Sequence, residues 1–306
     1  LKMPVSATGA AVYHVQITET LMQLFTDHRL LDTIVCPGMF YTCAAFGVLQ
    51  NLFGEAAVCA LENIEFLLAF VLDHDTRHED RPIMNIIVTP TYSDSSEDVC
   101  SPEIRVGSIS VVSCDPSVDA DMEGAWTEHF SCQYSVSMET PPNKPTGVAN
   151  VLKSAASEIP GMGANSTMYQ HISDAGFHYG SAFRWMQQVK TVTETPGLFL
   201  VNLGPNCESE PVHAHVWEGV LHPGLLDACL HASILAGREE SIGKDEISVG
   251  STIRIPRQIK RMVMWGTLPI INGVNASWDC EMMLSKDKQG CDRILLHDSK
   301  GNLVVH

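Results

Sequence analysis

Basic side chains are scarce in this sequence: 19 Lys and Arg stand against 36 Asp and Glu in 306 residues, a formal net charge of −17. Nonspecific nucleic-acid binding rests on neutralising phosphates, and an anionic membrane surface asks for the same cationic patches, so both partners are disfavoured. No apolar run approaches the roughly 20 residues that span a bilayer. The stretch from Leu61 to Leu72 is broken by Glu62, Asn63 and Glu65. The ten cysteines include no CxxC and no Cys/His grouping at zinc-finger spacing, which argues against a metal centre and for small core residues of a reducing, cytoplasmic compartment. A glycine-rich phosphate loop is also missing: Gly161-Met162-Gly163 lacks the third glycine and follows no strand, so a nucleotide-binding fold is not supported. No signal peptide opens the chain, which starts at Leu1 and ends in the strand-like Asn302-Leu303-Val304-Val305, the pattern expected of a piece of a longer polypeptide.

Apolar residues make up 45% and charged residues 18%, enough to bury a core in one large domain or two intimate ones. One short helix-start occurs twice. Cys36-Pro37-Gly38-Met39-Phe40-Tyr41-Thr42-Cys43 and His222-Pro223-Gly224-Leu225-Leu226-Asp227-Ala228-Cys229 lie 186 residues apart, too far for a solenoid period and about right for two copies of a domain-sized unit. Each Pro-Gly runs into an apolar helix: the first from about Gly38 to Leu52 with Gly54 as its stop, the second from Pro223 to Ala236 with Gly237 as its stop.

Alternation of apolar and polar residues predicts strands at Ala11–Ile17, Ala57–Ala69, Met84–Thr89, Ile104–Val112 and Thr127–Ser135 in the first unit, with Leu21–Leu31 leading to the first Pro-Gly. In the second unit it predicts them at Leu198–Leu203, Val212–Val220, Glu246–Ile253, Ile259–Trp265, Ser277–Leu284 and Arg293–His297. A helix and a meandering antiparallel sheet, twice over, is an α+β architecture. The Pro- and Gly-rich stretch 138–165 divides it into an N-terminal unit, 1–137, and a C-terminal unit, 166–306.

The two copies differ where chemistry would sit. Asp227 occupies the position of Tyr41, and His231 the position of Ala45; four residues apart on a helix, they share one face. Both sit among Leu225, Leu226, Ala228, Cys229, Leu230 and Ala232, leaving little room for a solvent-facing stripe, and ionisable groups are rarely buried without a purpose. The first copy is preceded by His28. One half therefore offers a base and the other an acid.

The segment from His28 to Pro37 resembles the HxxxGxxxxP signature of polyketide synthase dehydratase domains, and Asp227 to His231 matches their DxxxQ/H signature. Gly176-Phe177-His178-Tyr179-Gly180-Ser181 looks like their GYGP element and His222 to Asp227 like their HPALLD element. Four elements in order, across nearly the whole chain, make the resemblance strong. It implies a double-hotdog fold, a hydro-lyase activity and no bound cofactor or metal. The substrate would be a β-hydroxyacyl thioester on the phosphopantetheine arm of an acyl carrier protein, dehydrated to the enoyl thioester. His28 would remove the α-proton and Asp227 would protonate the leaving hydroxyl. Burial would raise the carboxyl of Asp227 against the helix N-terminus, and a neutral His231 would orient it. Backbone N–H groups near Pro37 and Gly38 would meet the enolate oxygen. Tyr179, Gly180 and Pro223 would shape the substrate site.

Two positions depart from the family pattern. Asp32 replaces a glycine and would bring a carboxylate near His28, raising its pKa; Ser181 replaces a proline. A dehydratase-like cyclase or double-bond isomerase, a non-catalytic hotdog module and a free-standing hydratase or thioesterase are the alternatives. Arg254, Arg257, Lys260 and Arg261 form a basic cluster in an acidic chain, suited either to docking an acidic carrier protein or to protecting a strand edge. Neighbouring synthase domains and a second copy of the chain, joined through the N-terminal half, complete the expected partners.

Overall fold

A computed structural model describes residues 9–54, 57–91, 105–120, 122, 124–137, 156–158, 165–192, 198–204, 221–239, 257–265, 280–286, 292–297 and 303–305. They sort into two compact units, neither a continuous stretch. One comprises Leu1–Thr26, Thr33–Pro141 and Pro256–Gly266; the other comprises Asp27–Asp32, Pro142–Ile255 and Thr267–His306. This differs from a division into consecutive halves, because the short segment containing His28 belongs with the second unit and residues 256–266 belong with the first. Most of the stretch read as a linker, 138–165, lies outside the described residues.

The first unit holds strand β1 (Ala11–Val15), helix α1 (Glu19–Thr26) and, past the excursion into the other unit, β3 (Thr33–Val35). Helix α2 (Gly38–Phe53), β4 (Val58–Phe66), β5 (Val71–Leu72), β6 (Ile83–Thr91), β7 (Arg105–Cys114) and β8 (Trp126–Ser137) follow, and β13 (Gln258–Trp265) returns from late in the chain. Its sheet runs β1-β6-β7-β8-β4-β13 with every neighbour antiparallel.

Helix α2 packs on β4 and β8 and is buried almost all round, from Met39 through Gln50. An all-apolar circumference is what a helix enclosed by a sheet requires. It ends where the sequence says it should. Gly54 adopts φ 95°, a region costly for residues with a Cβ, and its N–H donates to the Gln50 carbonyl at 2.8 Å. The residues Glu19 to Thr26, expected only as a lead-in, form a helix capped by Thr18, whose hydroxyl accepts the Leu21 N–H at 3.2 Å.

The second unit holds β2 (His28–Leu30), β9 (Ala156–Glu158), helix α3 (Asn165–Ser173), β10 (Phe177–Tyr179), β11 (Met186–Val192) and β12 (Leu198–Leu203). Helix α4 (Pro223–Glu239), β14 (Cys280–Lys286), β15 (Asp292–His297) and β16 (Leu303–Val305) complete it. Its main sheet runs β9-β11-β12-β14-β15-β16, again antiparallel. Helix α4 packs on β11, β12 and β14, and α3 packs on α4 and β10.

Pro223 is the first residue of α4, where a missing N–H costs nothing. The next amide, Gly224, donates to His222 Nδ1 at 3.0 Å. The helix passes through Gly237 to Glu239 instead of stopping there. A glycine ends a helix only by turning left-handed, as Gly54 does; left in helical conformation it costs about 1 kcal/mol relative to alanine and the helix continues. The strands expected at Val212–Val220 and Glu246–Ile253 lie outside the described residues; the other expected strands form, Leu198–Leu203 with the expected ends and the rest with shifted ones. The architecture is α+β, as the sequence indicates.

Candidate active site

The second unit gathers a cluster of ionisable side chains from four elements. His28 is held by a three-residue ladder in which β2 pairs antiparallel with β10 and His28 stands directly opposite Tyr179. Two further backbone bonds fasten its ends: the Gly180 N–H donates to the Asp27 carbonyl at 2.8 Å and the Leu31 N–H to the Gly176 carbonyl at 2.7 Å. The Asp27 carboxylate accepts the Ala182 N–H at 2.9 Å and the Ser181 hydroxyl at 3.4 Å. It thereby caps a 3₁₀ turn at Ser181–Phe183 and satisfies an otherwise open amide. That turn delivers Phe183, whose ring lies 5.3 Å from the His28 ring, the same separation as Tyr179 on the other strand.

Helix α4 brings up Asp227 and His231. Both are buried, and His231 Nε2 lies 2.7 Å from Asp227 Oδ2. His28 Nε2 approaches the same oxygen at 3.7 Å, with its side chain 12% exposed. Two imidazoles thus converge on one carboxylate oxygen. The Tyr179 ring covers His231 at 4.0 Å between centroids. From α3, the Tyr169 hydroxyl lies 3.4 Å from His231 Nδ1, donates to the Phe183 carbonyl at 3.0 Å and accepts the Met186 N–H at 3.2 Å. Close approach is permitted by two glycines: a methyl on Gly180 would collide with the Asp27 carboxylate, and one on Gly224 with the Ala182 carbonyl.

The electrostatics differ from the expectation at Asp227. Burial is the largest single influence on its carboxyl and pushes it up, but the charge and hydrogen bond of His231 and the charge of His28 together hold it below the usual carboxylate range. Its counterweights are two histidines from different elements, and they, not burial, decide the outcome. Burial first, and the Asp227 charge second, raise the Tyr179 phenol well above its ordinary value; burial likewise raises Tyr169. Both remain protonated donors.

Of the residues singled out by sequence, His28, Asp227, His231, Tyr179 and Gly180 are brought together, and Pro223 starts the helix that carries two of them. Pro37 and Gly38 belong to the first unit, at the cap and first residue of α2. Asp32 is exposed at the turn after β2, and the carboxylate paired with His28 is Asp227. Ser181 opens the 3₁₀ turn, a position that serves proline equally. Arg257, Lys260 and Arg261 are exposed at β13, where Arg261 pairs with Glu62 across the strands at 3.2 Å; Arg254 lies outside the described residues. Asp27, Tyr169 and Phe183 escaped sequence reading, because the partners that give them a place in the site lie far away in the sequence. Among the described residues, no group of three Cys, His, Asp or Glu is arranged to hold a metal ion.

A family model for the polyketide synthase dehydratase N-terminal domain matches residues 149–306, and one for the polyketide synthase dehydratase domain matches residues 1–91. The chain belongs to the polyketide synthase dehydratase family. Dehydratases of this family are hydro-lyases that remove water from β-hydroxyacyl thioesters. The highly reducing polyketide synthase sdnO of Sordaria araneosa is 24% identical over 238 residues, a stretch that is 68% of this chain and 7% of that protein. The dehydratase domain from the CurJ module of curacin polyketide synthase is 19% identical, with 100% of this chain and 91% of that one covered at a TM-score of 0.71. That from the CurK module is 15% identical over 99% and 92%, also at 0.71. These likenesses give this dehydratase the double-hotdog fold. No helix among its described residues is long and apolar enough to cross a membrane.

Proposed function

We propose that His28 and Asp227 are the base and acid of a β-hydroxyacyl thioester dehydration. The single observation that carries this reading is the approach of His28 Nε2 to Asp227 Oδ2, 3.7 Å apart, in a buried cluster. An imidazole with some exposure can take a proton from the substrate α-carbon, and a buried carboxyl beside it can protonate the departing β-hydroxyl. The Cα–H bond breaks with its proton passing to His28 Nε2, the double bond forms between Cα and Cβ, and the Cβ–O bond breaks to release water. Asp227 gives its proton to the leaving oxygen, so afterwards His28 carries the α-proton and Asp227 is ionised; passage of that proton from His28 to the carboxylate resets the site. Enolate charge developing at the thioester oxygen needs N–H donors. The solved structures similar to this chain include two inactive mutants of the CurK dehydratase, one with a histidine changed to phenylalanine and one with an aspartate changed to asparagine. The loss of activity in those mutants supports a His and Asp pair.

By the same reading the substrate arrives on the phosphopantetheine arm of an acyl carrier protein within a synthase, where the domain works as a dimer. Arg257 and Lys260 are exposed cations available for docking it, whereas Arg261 is partly neutralised by Glu62.

The test is mass spectrometry of purified protein incubated with β-hydroxyacyl and δ-hydroxy-enoyl pantetheine thioesters, beside His28→Ala and Asp227→Asn. Loss of water from the first substrate, abolished in both variants, is the expected result. Reaction of only the second, by ring closure without mass change, would replace dehydration with cyclisation.

A further inference from the structure

We infer that Tyr169 is a positioning residue whose phenol oxygen supports a proton on His231 Nδ1, so that the acid of this site is the Asp227–His231 pair and not Asp227 alone. The inference rests on the dehydration reading above for its catalytic meaning, and on three distances for its geometry. The Tyr169 hydroxyl proton has two candidate acceptors, the Phe183 carbonyl at 3.0 Å and His231 Nδ1 at 3.4 Å, and the shorter bond claims it. The Met186 N–H, at 3.2 Å, occupies one side of the oxygen. What the phenol presents to His231 is then a lone pair, and a lone pair wants an N–H at Nδ1.

With Nε2 also directed at Asp227 Oδ2, both ring nitrogens of His231 face acceptors. That arrangement suits an imidazolium beside a carboxylate. It has the same number of protons as a neutral histidine beside a carboxylic acid, so the two forms interchange by moving one proton along the 2.7 Å bond. Asp227 therefore need not stay protonated at rest: its proton is stored on His231 and drawn back as the hydroxyl leaves. When the proton moves from Nε2 to the carboxyl, Nε2 becomes the acceptor of the Asp227 O–H while Nδ1 keeps its own proton, so the Tyr169 oxygen accepts from Nδ1 in both states.

Among the described residues, the groups seen to face the pair or the rings that cover it come from several elements. They are His28 on β2, Tyr179 on β10, Tyr169 on α3, and Arg184, whose guanidinium lies over the Tyr169 ring at 5.8 Å and donates to the Tyr179 carbonyl at 2.6 Å. The depressed carboxyl of Asp227 fits the same picture.

The experiment compares wild type with Tyr169→Phe, which keeps the ring and removes the oxygen, using a β-hydroxyacyl pantetheine thioester across a range of pH. The expected result is a kcat about tenfold lower with KM unchanged. The alkaline limb of the profile, where the pair loses its shared proton, should move about one pH unit lower, and the acid limb, set by His28, should stay. An unmoved alkaline limb overturns the inference, whether or not the rate falls. In parallel, ¹⁵N spectra of histidine-labelled protein, with His231 assigned by its loss in His231→Gln, read the ring directly. A protonated Nδ1 at neutral pH, lost in Tyr169→Phe, supports the inference; an unprotonated Nδ1 in the wild type overturns it. This arm gives its answer even if no dehydration is seen, so failure of the inference and failure of the reaction assignment are told apart.

Discussion

Gly180 and Asp27 meet without room for a methyl group between them, because a Cβ on Gly180 would lie inside the Asp27 carboxylate. The backbone at Asp27 leads directly into His28, and the backbone at Gly180 follows Tyr179, its partner across the ladder. Gly180→Ala should therefore push apart the two strands that aim the catalytic imidazole. We expect a stability loss of about 1–3 kcal/mol, the usual cost of overpacking, together with a large fall in turnover. Urea unfolding and the dehydration assay check it. Ser181→Pro, one residue on, should leave both nearly unchanged, since the bond of the serine hydroxyl to the Asp27 carboxylate is long, at 3.4 Å.

Leu31 occupies the left-handed region at φ 55° and is 63% exposed. A leucine there is strained by roughly 1–2 kcal/mol, and little packing offsets the cost. Leu31→Asn should raise stability by about 0.5–1 kcal/mol, asparagine being tolerant of this conformation, with activity preserved. A lower thermal midpoint in the variant would contradict the strain.

Ser113 and His129 form a buried pair in the first unit. The serine hydroxyl donates to His129 Nε2 at 2.7 Å while His129 Nδ1 donates to the Leu68 carbonyl at 3.0 Å. Burial lowers the pKa of this histidine, so the neutral tautomer is fixed by its two partners. Ser113→Ala strands the Nε2 acceptor and should cost about 1–3 kcal/mol. Because the folded value is depressed, the stability this histidine contributes is full above its unfolded pKa of about 6.5 and lost as pH falls through the folded one. The comparison belongs at pH 8, and a variant as stable as wild type there would refute the assignment.

Asp227 carries the same sign. Its carboxyl is held below the ordinary carboxylate value, so its contribution is complete above about pH 4 and disappears as acidification passes its folded pKa. Urea midpoints of wild type should fall more steeply below pH 4 than those of Asp227→Asn. Parallel curves would mean that the histidines do not hold the carboxylate.

What the sequence made legible was local. Helix α2 announced itself by Pro37-Gly38 at one end and Gly54 at the other, and the spacing of Asp227 and His231 put them on one face before any coordinates. The bond from Tyr169 to His231 spans 62 positions and that from Asp27 to Ala182 spans 155; neither leaves a pattern at either end. The direction of the Asp227 shift was misread for a related reason. Burial and helix dipole can be judged from a helix alone, whereas the charge and hydrogen bond of His231, and after them the charge of His28 arriving from β2, act through distances that only the fold supplies. Gly237 failed as a stop because glycine permits a left-handed turn without requiring one.

The short excursion of residues 27–32 into the second unit, and of 256–266 into the first, has a bearing on how this domain could be taken apart. A polypeptide severed near residue 140 would yield two fragments, each missing a strand that its own body needs and each carrying one that belongs to the other. The C-terminal fragment would keep Asp227 and His231 and have no His28. Such pieces could regain activity only by exchanging those strands, in the manner of complementing fragments, so the internal duplication visible in the sequence does not amount to two separable parts.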